Sequence, residues 1–279
     1  MSTAGNAEPY LTIRPHSGWA ALNLLEVWQF RDLLFSLAGR DLKLRYRQTA
    51  LGAAWVILQP LMAAGIFSFV FGSVAKLPSH GVPRFLFTYA GLLAWNAFSS
   101  TLGRASTCLV GSSQLVSKVY FPRLVLPLST LVSTFIDIAV AFAMMLVLMA
   151  FYRQPLHWVI LLLPVWMGLI CCLAMGAGLY ASALMVSYRD VGYIVPVLTQ
   201  FLLYASPVAY ALADVPAHLQ AVYVLNPLCS LLEAFRGSIL GMDFPAIGSL
   251  VYAAIVSILA FVIGAFAFRK MERRFADVI

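Results

Sequence analysis

The sequence predicts an all-α membrane protein: six transmembrane helices, an amphipathic amino-terminal interface helix, and two re-entrant helices on the outer side between spans five and six. Three observations carry this expectation. Of 279 residues, 62% are hydrophobic and only 10% are charged, whereas soluble domains carry about 25% charged residues. Mean hydropathy is +0.90. Finally, six stretches hold the ~20 apolar residues needed to cross roughly 30 Å of hydrocarbon, and the basic residues between them are strongly biased to one side.

The arm, residues 1–50, opens without the apolar run of a signal peptide, so none is expected to be cleaved. Within it, residues 26–40 place Glu26, Gln29, Asp32, Ser36 and Arg40 on one helical stripe and Val27, Phe30, Leu34 and Leu37 on the remaining face. Fifteen residues at 1.5 Å each reach only about 22 Å. This helix is therefore expected to lie in the cytoplasmic interface, the plainer alternative being a helix packed on protein.

The six expected spans are residues 51–75, 85–103, 124–151, 158–186, 193–212 and 249–268. Lys and Arg sort between their linkers unequally. Only Lys76, Arg84, Arg153 and Arg236 fall on one side, and the other fourteen of the 18 fall on the arm, the alternate linkers and the tail. Because positive residues stay cytoplasmic, both termini are expected there, flanking a membrane domain over 51–268 with a short tail over 269–279. Between spans five and six, residues 213–247 are too apolar for a free loop. Pro216 and Asn226-Pro227 divide them into two short helical pieces, in the second of which Glu233 and Arg236 stand three residues apart and can pair. In the fourth span, Ala174, Gly178 and Ser182 form a ridge of small residues suited to close helix packing.

Several function classes are excluded or disfavoured. The net charge of +7 does not gather on a soluble face, so no nucleic-acid partner is expected. No lysine is followed by Ser or Thr, which rules out a Walker A phosphate loop. Four histidines form no HExxH, no G-x-S-x-G elbow occurs, and four cysteines show no C-x-x-C spacing. Neither a catalytic residue, a metal ligand nor a cofactor is expected in this chain.

Inside the spans, polar groups are few. Asp137 is the acid deepest in a span, where a charge costs roughly 2.5 to 3.5 kcal/mol on insertion scales, so it should be protonated, paired or turned to a polar interior. Stripes at helical spacing join Trp55, Gln59, Met62, Ile66 and Phe69 in span one, Tyr89, Asn96 and Ser100 in span two, and Tyr193, Gln200 and Tyr204 in span five. Aromatic rings stack on the apolar faces of sugars while amides satisfy hydroxyls, so such faces suit a path for hydroxyl-rich molecules. They serve equally as polar contacts between helices, and the residues alone leave both readings open.

Six segments taken together bear a further resemblance: RDLKLRYRQTALGAAWVILQP (40–60), KVYFPRLVLPLS (118–129), SYRDVG (187–192), YASPVAY (204–210), LNPLCSLLEAFRGSILG (225–241) and FRKMERRFADVI (268–279). In this order they resemble the permease subunits of type-2 ABC exporters for O-antigen, capsule and teichoic-acid polysaccharides. The resemblance runs from about residue 13 to the last. It implies a homodimer in the inner (plasma) membrane that works with two copies of a separate ATPase subunit, which binds ATP and Mg, and that exports a lipid-linked polysaccharide. Carried onto this chain, it implies an interface helix over 26–40, a coupling helix over 105–118, and a second ATPase contact at Tyr188-Arg189-Asp190. Outer gate helices are implied over 216–240. The residues so implicated are Trp55, Gln59, Tyr89, Asn96, Gln200 and Tyr204 for the transport path, and Arg40, Arg45, Ser112, Leu115, Tyr188, Arg189 and Asp190 for coupling. Asn226, Pro227, Glu233 and Arg236 are implicated in the outer gate. A type-2 exporter of lipids or drugs, or a membrane glycan transferase, are the alternatives.

Overall fold

Backbone N–H and C=O groups have no water to bond in hydrocarbon, so apolar runs of this length close their hydrogen bonds internally as helices. The computed structural model describes residues 24–47, 54–78 and 80–278, and among these it contains helices and no strand. In chain order they are α1 (Leu24–Gln29), α2 (Arg31–Tyr46), α3 (Ala54–Ser68), α4 (Arg84–Gly111), α5 (Ser113–Lys118), α6 (Val125–Phe151), α7 (Leu163–Ser187), α8 (Val191–Tyr204), α9 (Ala217–Leu225), α10 (Pro227–Leu240) and α11 (Ile247–Val278). A π-helical stretch, Phe69–Val74, extends α3, and a 3₁₀ turn, Trp158–Leu162, leads into α7.

Four of these segments are long and apolar enough to cross a membrane: Ala54–Val74, Val125–Phe151, Trp158–Ser187 and Ile247–Glu272. The second expected span, α4, has 28 residues, about 42 Å of helix, yet it carries Arg84, Asn96, Ser100 and Arg104 among its apolar residues. Its position explains this composition. It packs against α3, α6, α7 and α10 and is buried almost continuously from Leu86 to Phe98, so it is solvated by other helices.

The expected fifth span is shorter than predicted. α8 ends at Tyr204 after 14 residues, about 21 Å, and residues 205–211 leave the helix as turns. Pro207 supplies part of the reason, because its ring and missing N–H break a continuing helix. Beyond the turns, α9 and α10 occupy the two pieces that Asn226-Pro227 was expected to separate. Asn226 caps α10, its side-chain oxygen accepting from the Leu228 N–H at 3.1 Å, with Pro227 at the first helical position. α10 is buried along nearly its whole length against α4, α7 and α11.

Three other expected boundaries are corrected. The helix foreseen over 26–40 is two helices broken at Phe30, and it continues to Tyr46. It packs on α6, with Val27 and Leu37 buried in a cluster that includes Val125, Leu126 and Phe268, so its apolar face is covered by protein. The helix foreseen over 105–118 belongs to α4 as far as Gly111, and only α5 is separate after a break at Ser112. The segment foreseen as a tail from residue 269 continues α11 as helix to Val278.

The ridge of small residues packs as expected. At Gly178 a Cβ would lie 2.6 Å from the Ala105 Cβ of α4, and Ser182 lies beside Cys108 of the same helix at 3.7 Å.

Candidate functional site

Two of the three polar stripes meet. α3 contributes Trp55 and Gln59, α4 contributes Tyr89, Asn96, Ser100 and Arg104, α6 contributes Thr134 and Asp137, and α2 adds Arg45. Together they line a cavity of about 320 Å³. Met62, Ile66 and Phe69, further along the first stripe, are exposed on the outside of α3 instead.

Asp137 is paired, one of the three outcomes its depth allows. At 1.5 Å per residue it stands about 18 Å along α6. There its Oδ2 accepts from Arg45 Nη1 and from Arg104 Nη2, the latter at 2.6 Å, while Arg104 Nη1 donates to Thr134 Oγ1 at 3.0 Å. One carboxylate thereby ties α2, α4 and α6 together. The side chains of Arg45, Arg104 and Asp137 keep 29%, 25% and 18% of their surface open, so the cluster faces the cavity and is not sealed from it. Tyr89 is buried on the cavity wall, donating its hydroxyl to the Ala141 carbonyl at 3.0 Å.

The stripe of α8 goes elsewhere. Tyr193, Gln200 and Tyr204 lie on its exposed face, where Gln200 Nε2 donates to the Tyr204 hydroxyl at 3.2 Å. Gln200 and Tyr204 do not line the cavity that Trp55 and Asn96 share.

A second arginine site lies where α8 unwinds. Arg236, on α10 and only 2% exposed, donates to the carbonyls of Pro207 at 2.6 Å, Val208 at 2.9 Å and Tyr210 at 3.1 Å. Arg84, at the start of α4, reaches the intervening Ala209 carbonyl at 2.7 Å. Four successive carbonyls that a longer α8 would have used internally are thus satisfied by two guanidiniums. Both guanidiniums lie over the Phe87 ring, at 4.0 Å for Arg236 and 5.3 Å for Arg84, a favourable cation–π placement. Space for the segment exists because α4 has Gly91 there, where a Cβ would sit 2.0 Å from the Val208 oxygen.

The expected ion pair between Glu233 and Arg236 does not form. Glu233 Oε1 instead accepts from the Leu212 N–H at 2.6 Å, and Arg236 turns to the backbone of the unwound segment. Asn226 joins the same region by donating to Ser206 Oγ at 2.9 Å. Asp214 accepts from the Ala211 N–H at 3.0 Å and pairs with His80 at 3.3 Å.

At the opposite end, Tyr188, Arg189 and Asp190 form an exposed turn between α7 and α8. Arg40 is exposed on α2, and Ser112 and Leu115 are half-buried at the α4–α5 break. Arg123 Nη1 bonds the Glu272 carbonyl at 2.6 Å, anchoring the start of α6 to α11.

A family model described as ABC-2 type transporter matches residues 32–240, beginning inside α2 and ending with α10. The chain belongs to the ABC-2 type transporter family. The match encloses both arginine sites, and with its apolar helices this ABC-2 chain is a multi-pass membrane protein. It is similar to the O-antigen export system permease protein RfbA of Myxococcus xanthus, 30% identical over 257 residues that cover 91% of this chain and 98% of the relative. A protein of the same description from Klebsiella pneumoniae is 27% identical, with 89% and 95% covered. The polysialic acid transport protein KpsM of Escherichia coli is 25% identical, with 84% and 91% covered.

Sequence reasoning missed Arg104, Thr134 and Arg84 as site residues. Arg84 and Arg104 stood at the ends of an expected span and were read only as topology signals. That they shared a helix with the Tyr89-Asn96-Ser100 stripe was the available clue.

Proposed function

We propose that this ABC-2 chain is the membrane permease of an ATP-driven exporter that moves a lipid-linked, O-antigen-like polysaccharide outward across the inner membrane. The observation that carries the reading is the likeness to O-antigen export permeases over nearly the full length of both chains. The cavity supports it: ring faces from Trp55 and Tyr89 beside the polar groups of Gln59, Asn96 and Ser100 match the alternating apolar and hydroxyl surfaces of a sugar.

In this reading two copies of the chain pair with two copies of a separate ATPase, which binds and hydrolyses ATP with Mg. Both termini lie in the cytoplasm, α4 and α8 complete the count of six spans, and α9 and α10 dip into the outer leaflet. Arg40, Arg45, Ser112, Leu115 and the Tyr188-Arg189-Asp190 turn transmit the stroke of the ATPase. The glycan passes Trp55, Gln59, Tyr89 and Asn96, and then the Gln200 and Tyr204 face of α8, which a second protomer would cover. Asn226, Pro227, Glu233 and Arg236 brace the outer gate through the unwound segment they hold.

Deleting the gene tests this reading. Surface polysaccharide should vanish while lipid-linked polymer accumulates inside, and returning this gene should restore export unless the partner ATPase is also deleted. Unchanged surface polysaccharide in the deletion strain would overturn it. Charge reversal at Arg189 or Asp190 should abolish export with normal membrane insertion, and full export by both variants would remove the turn from the coupling path.

A further inference from the structure

The cavity holds more than a lining for sugars. Its charged residues are two arginines and one aspartate, Arg45, Arg104 and Asp137, and both guanidiniums are directed at the same carboxylate oxygen. A guanidinium presents five N–H donors in a planar fork suited to two oxygens at once. Arg104 meets Asp137 through one nitrogen and Thr134 through another, so its fork is divided between a carboxylate and a hydroxyl and is not matched to either. Paired positive forks converging from separate helices suit phosphate, whose non-bridging oxygens accept several charge-assisted hydrogen bonds. A neutral sugar needs none of this, since Gln59, Asn96 and Ser100 already offer it partners.

The surroundings suit such a ligand. The cavity volume of about 320 Å³ falls within the range of about 300–1,000 Å³ typical of small-molecule sites. The three charged side chains remain partly open to it. At this depth along α6 an anion leaves most of its water behind, so two fixed cations are worth far more to it than at a surface.

We propose that this cavity is a binding site for a phosphate group, whose oxygens replace Asp137 Oδ2 on Arg45 and Arg104. Building on the export reading, the phosphate is the one that joins the glycan to its lipid carrier. Asp137 is then a resident stand-in for the ligand, holding the two arginines in place while the site is vacant.

The test is calorimetric titration of the purified full-length chain, in a phosphate-free maltoside detergent, with three probes: a short polyprenyl diphosphate, the matching polyprenol and inorganic pyrophosphate. The diphosphate lipid should bind, and the polyprenol should bind at least tenfold more weakly. Arg104→Gln should weaken diphosphate binding at least tenfold, and Arg104→Lys, which keeps the charge and loses the fork, should weaken it less. Asp137→Asn should tighten binding several-fold by removing the competing carboxylate, whereas a purely structural tie predicts looser binding. If Asp137→Asn does not fold, the Gln and Lys variants of Arg104 carry the test. Equal binding of polyprenol, or an unchanged Kd in Arg104→Gln, overturns the proposal. Pyrophosphate binding as tightly as the lipid supports the phosphate site and overturns its assignment to a lipid headgroup. Because no ATPase or export is involved, failure here leaves the deletion phenotype, and with it the export reading, standing on its own.

Discussion

Two pairs of arginines organise this molecule, and they are used in opposite ways. Arg84 and Arg236 hold backbone: their bonds go to carbonyls and their charge lies over the Phe87 ring. Arg45 and Arg104 hold a side chain, share one carboxylate, and border a cavity. A guanidinium whose terminal nitrogens are engaged by backbone carbonyls fixes a loop. A guanidinium that meets a part-open carboxylate at the wall of a cavity is placed to exchange that partner. Burial and the kind of acceptor, more than the residue type, separate scaffold from site.

The comparison can be broken most severely at Arg236. Arg236→Met should leave the Pro207, Val208 and Tyr210 carbonyls without their donor, each at about 1–3 kcal/mol, and the variant should be largely lost from the monodisperse peak on size-exclusion chromatography. Gly91→Ala comes next. Its Cβ would meet the Val208 oxygen, and overpacking of this kind costs about 1–3 kcal/mol, read as a lower thermal midpoint in detergent. The half-open inner pair should respond far less. Arg104→Gln should cost about 1 kcal/mol, less whatever solvent screening removes, and should retain a folded chain while export falls. Smallest of all is Tyr204→Ala, which removes one exposed hydrogen bond and should change stability by no more than about 0.5 kcal/mol. Any loss of export in that variant would place the α8 face on the glycan path. If Arg104→Gln proved as destabilising as Arg236→Met, the distinction between the two pairs would collapse.

Much of this architecture was legible from hydropathy, because lipid imposes one rule on every residue facing it. Spans three and four fall within a residue or two of α6 and of the Trp158–Ser187 segment. The second and fifth were harder for a physical reason. α4 is shielded by its neighbours, so its polarity reflects packing partners that no window can see. α8 ends early because arginines distant in sequence, Arg84 and Arg236, supply the bonds that let Pro207–Tyr210 unwind. The cavity was half legible: the stripes of spans one and two named Trp55, Gln59, Tyr89 and Asn96, and depth alone required Asp137 to be protonated, paired or turned to a polar interior. Nothing in the spacing of Arg45, Arg104 and Asp137 announced that they meet, since their helices come together only in the tertiary fold. The α8 stripe shows the converse, a pattern as regular as the others that the chain leaves on its exposed face.

One close approach limits how such a molecule can work. α7 and α11 touch backbone to backbone: a Cβ on Gly264 would lie 2.0 Å from the Gly176 oxygen, and one on Gly176 would lie 2.3 Å from the Ala260 carbonyl carbon. Contact this intimate leaves no side-chain cushion to slide on. α4 is keyed into the other side of α7 at Gly178, so three long helices are locked into a single stator. The pieces around it are held less tightly within the chain, chiefly α3, of which little is buried.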